Sequence, residues 1–157
     1  MPRTSKSSRT SRTILSQLMQ PEHSNTHGNV HGGWIMKMVD EAGALACMRH
    51  AQHRVVTVAI DQMTFSHPIR IGDLVVLEAE VSYVGRTSME AEVKVYAENP
   101  VSGEKWATNT AYVVYVALDG DGHPVMVPEL LLESEMEKRR FEQGKARQQY
   151  RISQKNE

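Results

Sequence analysis

The stretch from Asn25 to Met48 constrains the fold more than any other part of the chain. It opens as a loop of Gly, Asn and His. It then runs into a long segment in which Trp34, Ile35, Met38, Val39, Ala42, Leu45 and Ala46 recur at helical spacing. An apolar face that broad has to be buried, so whatever follows must wrap around it. Asp40 falls on the other side. Its expected neighbours there are Met36, Gly43, Ala44 and Cys47, all small or apolar and none basic. A solvated face would carry Lys, Glu and Arg, so a second surface is expected to pack here. A carboxylate in such a place loses water and gains strength as a base. The helix is predicted to start at Gly32 and Gly33 and to run to about His50. The glycines let a ligand or another chain approach its first N–H groups, which have no partner within the helix. With the helix dipole behind them, these groups form a site for an anion or a carbonyl oxygen.

The wrapping is legible as strands. Arg12 to Met19 reads as a short strand, a helical turn being the alternative, and Pro21 ends it. Val55 to Phe65 is almost continuously apolar and is expected to be covered on both faces. Asp73 to Val84 alternates, with Val75, Leu77, Ala79, Val81 and Tyr83 one way and Glu78, Glu80 and Ser82 the other. Thr87 to Ala97 sets Met89, Ala91, Val93 and Val95 against Glu90, Glu92 and Lys94, which predicts one face on a core and one in water. Lys105 to Leu118 is apolar on both faces and reads as a central strand. Short links at Gly85-Arg86 and from Asn99-Pro100 to Gly103 predict antiparallel hairpins. After Leu118 come turns and prolines, then a charged segment. It is predicted to form a surface helix, with Glu135 spaced to pair with Arg139, that frays after Gly144.

Composition narrows the function classes. A chain of 157 residues with 40% hydrophobic and 24% charged residues is one domain with a real core. A net charge of −1 gives no general pull toward nucleic acid or membrane. The basic residues Arg3, Lys6, Arg9 and Arg12 nevertheless cluster at the start with no acid among them, and residues 1–11 are read as a disordered, solvated tail. No apolar run is long enough to span a bilayer, and no apolar signal core stands at the N-terminus. The one cysteine, Cys47, excludes an intrachain disulfide and fits a reducing compartment, the cytoplasm; a small buried packing residue is its expected role.

Asp40 is the leading candidate for chemistry, against the simpler reading of an acid placed by the helix dipole. Asn25 and Asn29 flank Gly28. An amide there orients a water or donates to an oxyanion, but on the residues alone turn chemistry is the favoured account of either one. His23, His27 and His31 recur every four residues, but the glycines between them argue against a helix and hence against a metal face; His31 is left as a pocket residue. Asp61 is the second choice of carboxylate, with a cross-strand pairing as its alternative. Asp119-Gly120-Asp121-Gly122 has the opening of a calcium loop, but Leu130 stands where the closing Glu belongs, so a tight turn is expected. Gly85-Arg86-Thr87-Ser88 puts a cation and hydroxyls at a hairpin tip, suited to a phosphate-bearing ligand or to an ordinary exposed turn.

Taken in order, Asn25-x-x-Gly28-Asn29-Val30-His31-Gly32-Gly33-Trp34, Met38-Val39-Asp40-Glu41, Val55-Val56-Thr57-Val58 into Met63-x-Phe65, Pro68-Ile69-x-x-Gly72-Asp73 and Val84-Gly85-Arg86-Thr87-Ser88 resemble the hotdog-fold acyl-CoA thioesterases. The likeness is to bacterial hydrolases akin to the mammalian cytosolic long-chain enzyme. It implies an α+β hotdog fold: an antiparallel sheet of about five strands wrapped around one long central helix, plus a C-terminal surface helix. The hotdog domain would span residues 12–130, and residues 131–157 would form a C-terminal helix and tail. The implied activity is hydrolysis of acyl-CoA to free acid and CoA. The implied catalytic pair is Asn25 and Asp40, from opposite subunits of a homodimer, with a trimer of dimers as the assembly. Gly32 and Gly33 would hold the thioester carbonyl, near Asn29 and His31, and Gly85, Arg86, Thr87 and Ser88 would contact the CoA part. No metal, no cofactor beyond the CoA of the substrate, no specific nucleic acid and no membrane insertion are expected. The alternative is a non-catalytic acyl-CoA sensor on the same fold.

Overall fold

The computed structural model describes residues 3–61 and 63–155. In chain order the elements are β1 (Ser5–Ser7), β2 (Thr13–Leu18), α1 (Gly32–Ala51), β3 (Arg54–Ile60), β4 (Leu74–Val84), β5 (Ser88–Glu98), β6 (Lys105–Leu118), β7 (Glu129–Leu131) and α2 (Glu135–Lys155). Five strands form one antiparallel sheet in the order β2-β4-β5-β6-β3, while β1 and β7 make a separate parallel pair. The sheet curls around α1, which touches β2, β3, β4, β5 and β6. This is the hotdog architecture.

The core lies between α1 and the inner face of the sheet. Val75, Leu77, Ala79 and Val81 of β4, Ala91, Val93 and Val95 of β5, and Ala111, Val113, Tyr115 and Ala117 of β6 meet Ile35, Val39, Ala42 and Ala46 of α1. All are essentially inaccessible to water. Each fully buried Val, Leu or Ile contributes about 1.5–3 kcal/mol relative to exposure, which is why the strand periodicity was so readable. Gln52, in the left-handed conformation, ends α1 with its N–H on the Met48 carbonyl.

Several expectations change. The predicted core face of α1 included Leu45, but Leu45 is exposed, whereas Gly43 and Cys47 are buried. The sheet reaches further around the helix than one stripe, and small residues sit where strands approach closely. The exposed ridge of α1 therefore carries Met36, Lys37, Glu41 and Leu45 beside half-buried Asp40 and Ala44. It is not free of bases, because Lys37 is there, ion-paired to Glu41 at 2.7 Å. The strand expected over Val55–Phe65 stops at Ile60. It is an edge strand whose Val56 and Val58 are exposed, so it is not covered on both faces within one chain.

A bulge between Val81 and Tyr83 breaks the β4 alternation. Tyr83 is turned to the outer face, where its ring meets Phe141 at 4.9 Å, and Val84 takes the core position. Glu90 and Glu92 are buried rather than in water, because α2 lies across that face. α2 does not fray at Gly144 but continues to Lys155, and Glu135 pairs with Lys138 rather than Arg139.

Residues 3–11 are not a disordered tail. β1 pairs with β7, and Ser8 and Ser11 are buried. Lys6 donates to the carbonyls of Arg49 and His50 at the C-terminus of α1, at 2.8 Å each. Arg49 in turn donates to the Thr10 and Arg12 carbonyls and to the Thr13 hydroxyl. Arg12 pairs with Glu78, and Arg3 with Glu129. Among the described residues, no helix is long and apolar enough to cross a membrane.

Candidate active site

The loop before α1 is built around His23 and Asn25. The buried His23 accepts the Gln20 N–H at its Nδ1 (2.8 Å), its carbonyl accepts the His31 N–H (2.8 Å), and its ring lies 4.2 Å from that of Trp34. This fixes where α1 begins. Asn25 Oδ1 accepts the N–H groups of His27 (2.8 Å) and Asn29 (3.2 Å), and the Asn25 N–H donates to the Asn29 carbonyl (2.7 Å). The turn reading of Asn25 is therefore correct. It also occupies only one end of the amide: no hydrogen bond from Nδ2 is found among the described residues.

Asn25, Asn29, Gly32, Ile35, Phe65 and His67 line a cavity of about 250 Å³ at the start of the helix. The glycine N–H groups are not equivalent there. His31 Nδ1 accepts from Gly33 at 2.9 Å, capping the helix, while no partner for the Gly32 N–H is found among the described residues. A Cβ at Gly32 would stand 3.5 Å from the Phe65 ring. Gly32 is thus the donor open to a carbonyl oxygen, and His31 is a cap.

Asp40 is not in the wall of that cavity. Its Oδ1 accepts the Thr57 hydroxyl at 2.7 Å and the Tyr115 hydroxyl at 3.1 Å, and Tyr115 also lies 2.8 Å from the Asp40 carbonyl oxygen. No described residue bonds to Oδ2. The carboxylate is half-buried on the ridge of α1 that the sheet leaves uncovered. Within one chain, then, Asn25 and Gly32 share one cavity, and half-buried Asp40 is outside its lining.

The hairpin 85–88 is tied down from behind. Gly85 N–H donates to Ser88 O (2.8 Å), Arg86 O accepts from Val127 N–H (3.0 Å), and the Arg3 guanidinium donates to Gly85 O. Arg86 is exposed. Ser88 pairs with Val116 and Met89 with Tyr115, so the hairpin enters the sheet one row from the strand residues that hold Asp40.

The other candidates fall away from this site. Asp61, just past β3, is held by Arg151 of α2 at 2.8 Å. The described residues contain no cluster of the three loop histidines. Among the described residues the single grouping with metal-ligand geometry is Asp119, Asp121 and His123, in a turn where Asp119 Oδ1 accepts two backbone N–H groups. Burial, reinforced by Glu90, pushes the Cys47 thiol far above its ordinary range, so it is an inert packing residue.

Sequence reasoning missed Thr57, Tyr115 and Gly43 as site residues. The signal for Tyr115 was present: in the run Ala111, Val113, Tyr115 and Ala117 on the inner face of β6 it is the one side chain with a polar atom, and a buried hydroxyl needs a partner.

Comparison with known proteins agrees with this geometry. Residues 27–104 match the model of the thioesterase superfamily. An uncharacterized acyl-CoA thioester hydrolase of Bacillus subtilis is 36% identical over 127 residues, 81% of this chain and 74% of that protein. The cytosolic acyl coenzyme A thioester hydrolase of Rattus norvegicus is 37% identical over 139 residues, 87% of this chain. The chain spans 36% of the length of that mammalian relative. Among solved structures, an apo-hexameric acyl-CoA thioesterase superposes with a TM-score of 0.91 at 37% identity, covering 96% of this chain and 97% of that one. An acyl-CoA hydrolase of Staphylococcus aureus, solved with butyryl coenzyme A and coenzyme A, gives 0.88 at 31% identity over 96% and 92% of the two chains. Its structures include variants with an Asn, an Asp or a Thr changed to Ala; these stand fifteen and then seventeen residues apart, as do Asn25, Asp40 and Thr57 here. With this sequence likeness running through the fold and the loop–helix motif together, the chain belongs to the acyl-CoA thioester hydrolases of the thioesterase superfamily.

Proposed function

We propose that this protein hydrolyses acyl-CoA thioesters to a free carboxylic acid and CoA, on a site shared between two copies of the chain. The observation that carries the reading is the setting of Asp40: two hydroxyls hold one carboxylate oxygen, no described residue bonds to the other, and the side chain is half-buried beside the exposed ridge of α1. Exposed Met36 and Leu45 on that ridge suit a second copy, which would bring its own Asn25 and Gly32 opposite Asp40. The Gly32 N–H, at the positive end of the helix dipole, polarises the thioester carbonyl and holds the oxyanion as it forms. Asp40 either takes a proton from the attacking water and passes it to the departing thiolate, or attacks the carbonyl itself. The second route forms an acyl anhydride that a water then cleaves, the two protons of that water going to the acid and the thiolate. In both routes Asn25 Nδ2 orients the water. CoA leaves as the thiol. Gly85, Arg86, Thr87 and Ser88 contact the CoA part, with Arg86 supplying charge for its phosphates. Carboxylate, amide and backbone N–H suffice for this chemistry, so no cofactor is invoked.

The hexameric structural relative supports a trimer of such dimers, and the name of the mammalian relatives supports the cytosol as the compartment. Thiol release from a panel of acyl-CoA chain lengths tests the activity. Turnover on at least one chain length is expected, with Asp40→Asn and Asn25→Ala each lowering kcat by about 100-fold or more while the folded state survives. Turnover on none would leave a binding protein. Undiminished turnover by Asp40→Asn would move the chemistry elsewhere.

A further inference from the structure

We propose that Tyr115 is the positioning residue of Asp40, selecting which carboxylate oxygen is presented to the substrate, and that position 43 is glycine to give Tyr115 the room to do so. The inference rests on the reading of Asp40 as the reacting carboxylate.

Thr57 and Tyr115 are directly opposite one another in the β3–β6 register. Their hydroxyls converge on the same atom, Asp40 Oδ1, at 2.7 and 3.1 Å. Two donors from one rung of an antiparallel ladder make a clamp with little freedom. The regular pairing breaks just after it, between Thr57 and Ala59, and bulges of that kind serve to aim side chains. With Oδ1 doubly engaged, Oδ2 is the oxygen left for water or thioester. The two donors differ in kind. Thr57 is exposed, whereas Tyr115 is wholly inaccessible to water and comes from the floor of the core.

The Tyr115 hydroxyl has one proton and two acceptors, the Asp40 carbonyl at 2.8 Å and Oδ1 at 3.1 Å. An ionised carboxylate is the stronger acceptor, because the bond is charge-assisted. Once Asp40 has gained a proton or an acyl group, the same O–H turns to the carbonyl. The heavy atoms stay in place while the charge on Asp40 changes. Burial, with the charge of Asp40 as the next cause, pushes the phenol pKa far up, so Tyr115 remains a donor throughout.

Gly43 completes the arrangement. A Cβ built there would lie 2.5 Å from the Tyr115 hydroxyl oxygen and 3.2 Å from two ring carbons. Glycine is a poor residue in the interior of a helix, so its presence three residues after Asp40 calls for a reason, and the close approach of Tyr115 is that reason.

Saturation kinetics on an acyl-CoA substrate, with thermal melting of each full-length variant, test the proposal. Tyr115→Phe, which loses only the hydroxyl, is expected to lower kcat about 10- to 100-fold with KM within about twofold of the parent. Gly43→Ala retains the phenol but displaces it, and is expected to show the same kcat loss at the same KM. A kcat for Tyr115→Phe within about twofold of the parent, or a change confined to KM or to the melting temperature, overturns the positioning role, provided Asp40→Asn is inactive. Full activity in Gly43→Ala overturns the account of the glycine. Persisting activity in Asp40→Asn instead removes the underlying reading of the site.

Discussion

At the scale of single residues, the role of each polar side chain follows from which of its atoms the fold has already used. Asn25 spends Oδ1 on its own loop and Asp40 gives up Oδ1 to two hydroxyls, while Asn25 Nδ2 and Asp40 Oδ2 have no partner among the described residues. His50 is the opposite case. It is wholly buried, its Nε2–H donates to the Pro128 carbonyl at 2.9 Å, and its Nδ1 has no partner among the described residues. Protonating Nδ1 would bury an unpaired N–H and a charge. Burial lowers the His50 pKa below its ordinary 6.5, opposed by the Pro128 bond and helped by the charges of Lys6 and Arg3. An unfolded chain thus binds the proton more readily than the folded one. The stability associated with neutral His50 is complete above pH 6.5 and is lost as the pH falls through the lower folded value. Urea midpoints at pH 7.5 and pH 5.5 should show a drop for the parent and a smaller drop for His50→Gln, which retains a donor for Pro128 but does not titrate. Equal drops would mean that other groups carry the whole acid sensitivity.

At the scale of elements, α2 is the least expected part. Its charged sequence reads as a solvated helix, yet Arg147 forms two 2.8 Å bonds to Glu90, a carboxylate that is 1% exposed, and Arg140 reaches Glu80 and Glu92. Ser82 donates a further 2.6 Å bond to Glu90. The acids on the outer face of β4 and β5 and the arginines of α2 are one interface, split between two distant stretches of sequence. Gly144 lets the helix close on the sheet: a Cβ there would lie 2.7 Å from the Tyr83 Cβ and 2.9 Å from Glu90 Oε1. Alanine is the better helix former by about 1 kcal/mol, while overpacking against a rigid strand costs about 1–3 kcal/mol. Contact with a Cβ leaves little room for relief, so the second effect should win. Gly144→Ala is expected to lower the denaturant midpoint without altering the m-value, and a stabilised variant would show that α2 shifts freely on the sheet.

At the scale of the whole molecule, the arm 3–11 covers one end of α1 and leaves the ridge of Met36, Lys37, Glu41 and Leu45 exposed. The arm closes the C-terminal end of α1 through Lys6 and Arg49, using cations that composition alone reads as a free basic tail. The ridge, with exposed Met36 and Leu45, is where the proposed partner copy would dock. If each site takes Asn25 from one copy and Asp40 from the other, two inactive variants should complement each other. In a mixed dimer of Asn25→Ala and Asp40→Asn, one site has both native residues and the other has neither. Random mixing should therefore restore about a quarter of the parent activity. Co-refolded mixtures and each variant alone, assayed at equal subunit concentration, would show this; a mixture no better than its components places both residues in the same chain's site.

The sequence alone determined the helix, the five-stranded sheet and the loop that enters the site. Each of these leaves a local periodic trace: apolar residues every three or four positions in α1, every second position in β4 to β6, and Gly and Asn where the backbone turns. Sequence also singled out Asp40, an acid whose neighbours on its side of the helix are small or apolar, whereas Asn25 stood out from an ordinary turn residue only through the family resemblance. Only the tertiary structure decided the rest: that Gly33 is spent on His31 while Gly32 is not, that Thr57 and Tyr115 meet at one oxygen of Asp40, that a bulge turns Tyr83 outward, and that α2 seals Glu90. These depend on how far a sheet curls and on which atoms converge from strands distant in sequence. The energies that settle them arise from contacts between segments, which no single segment's periodicity records.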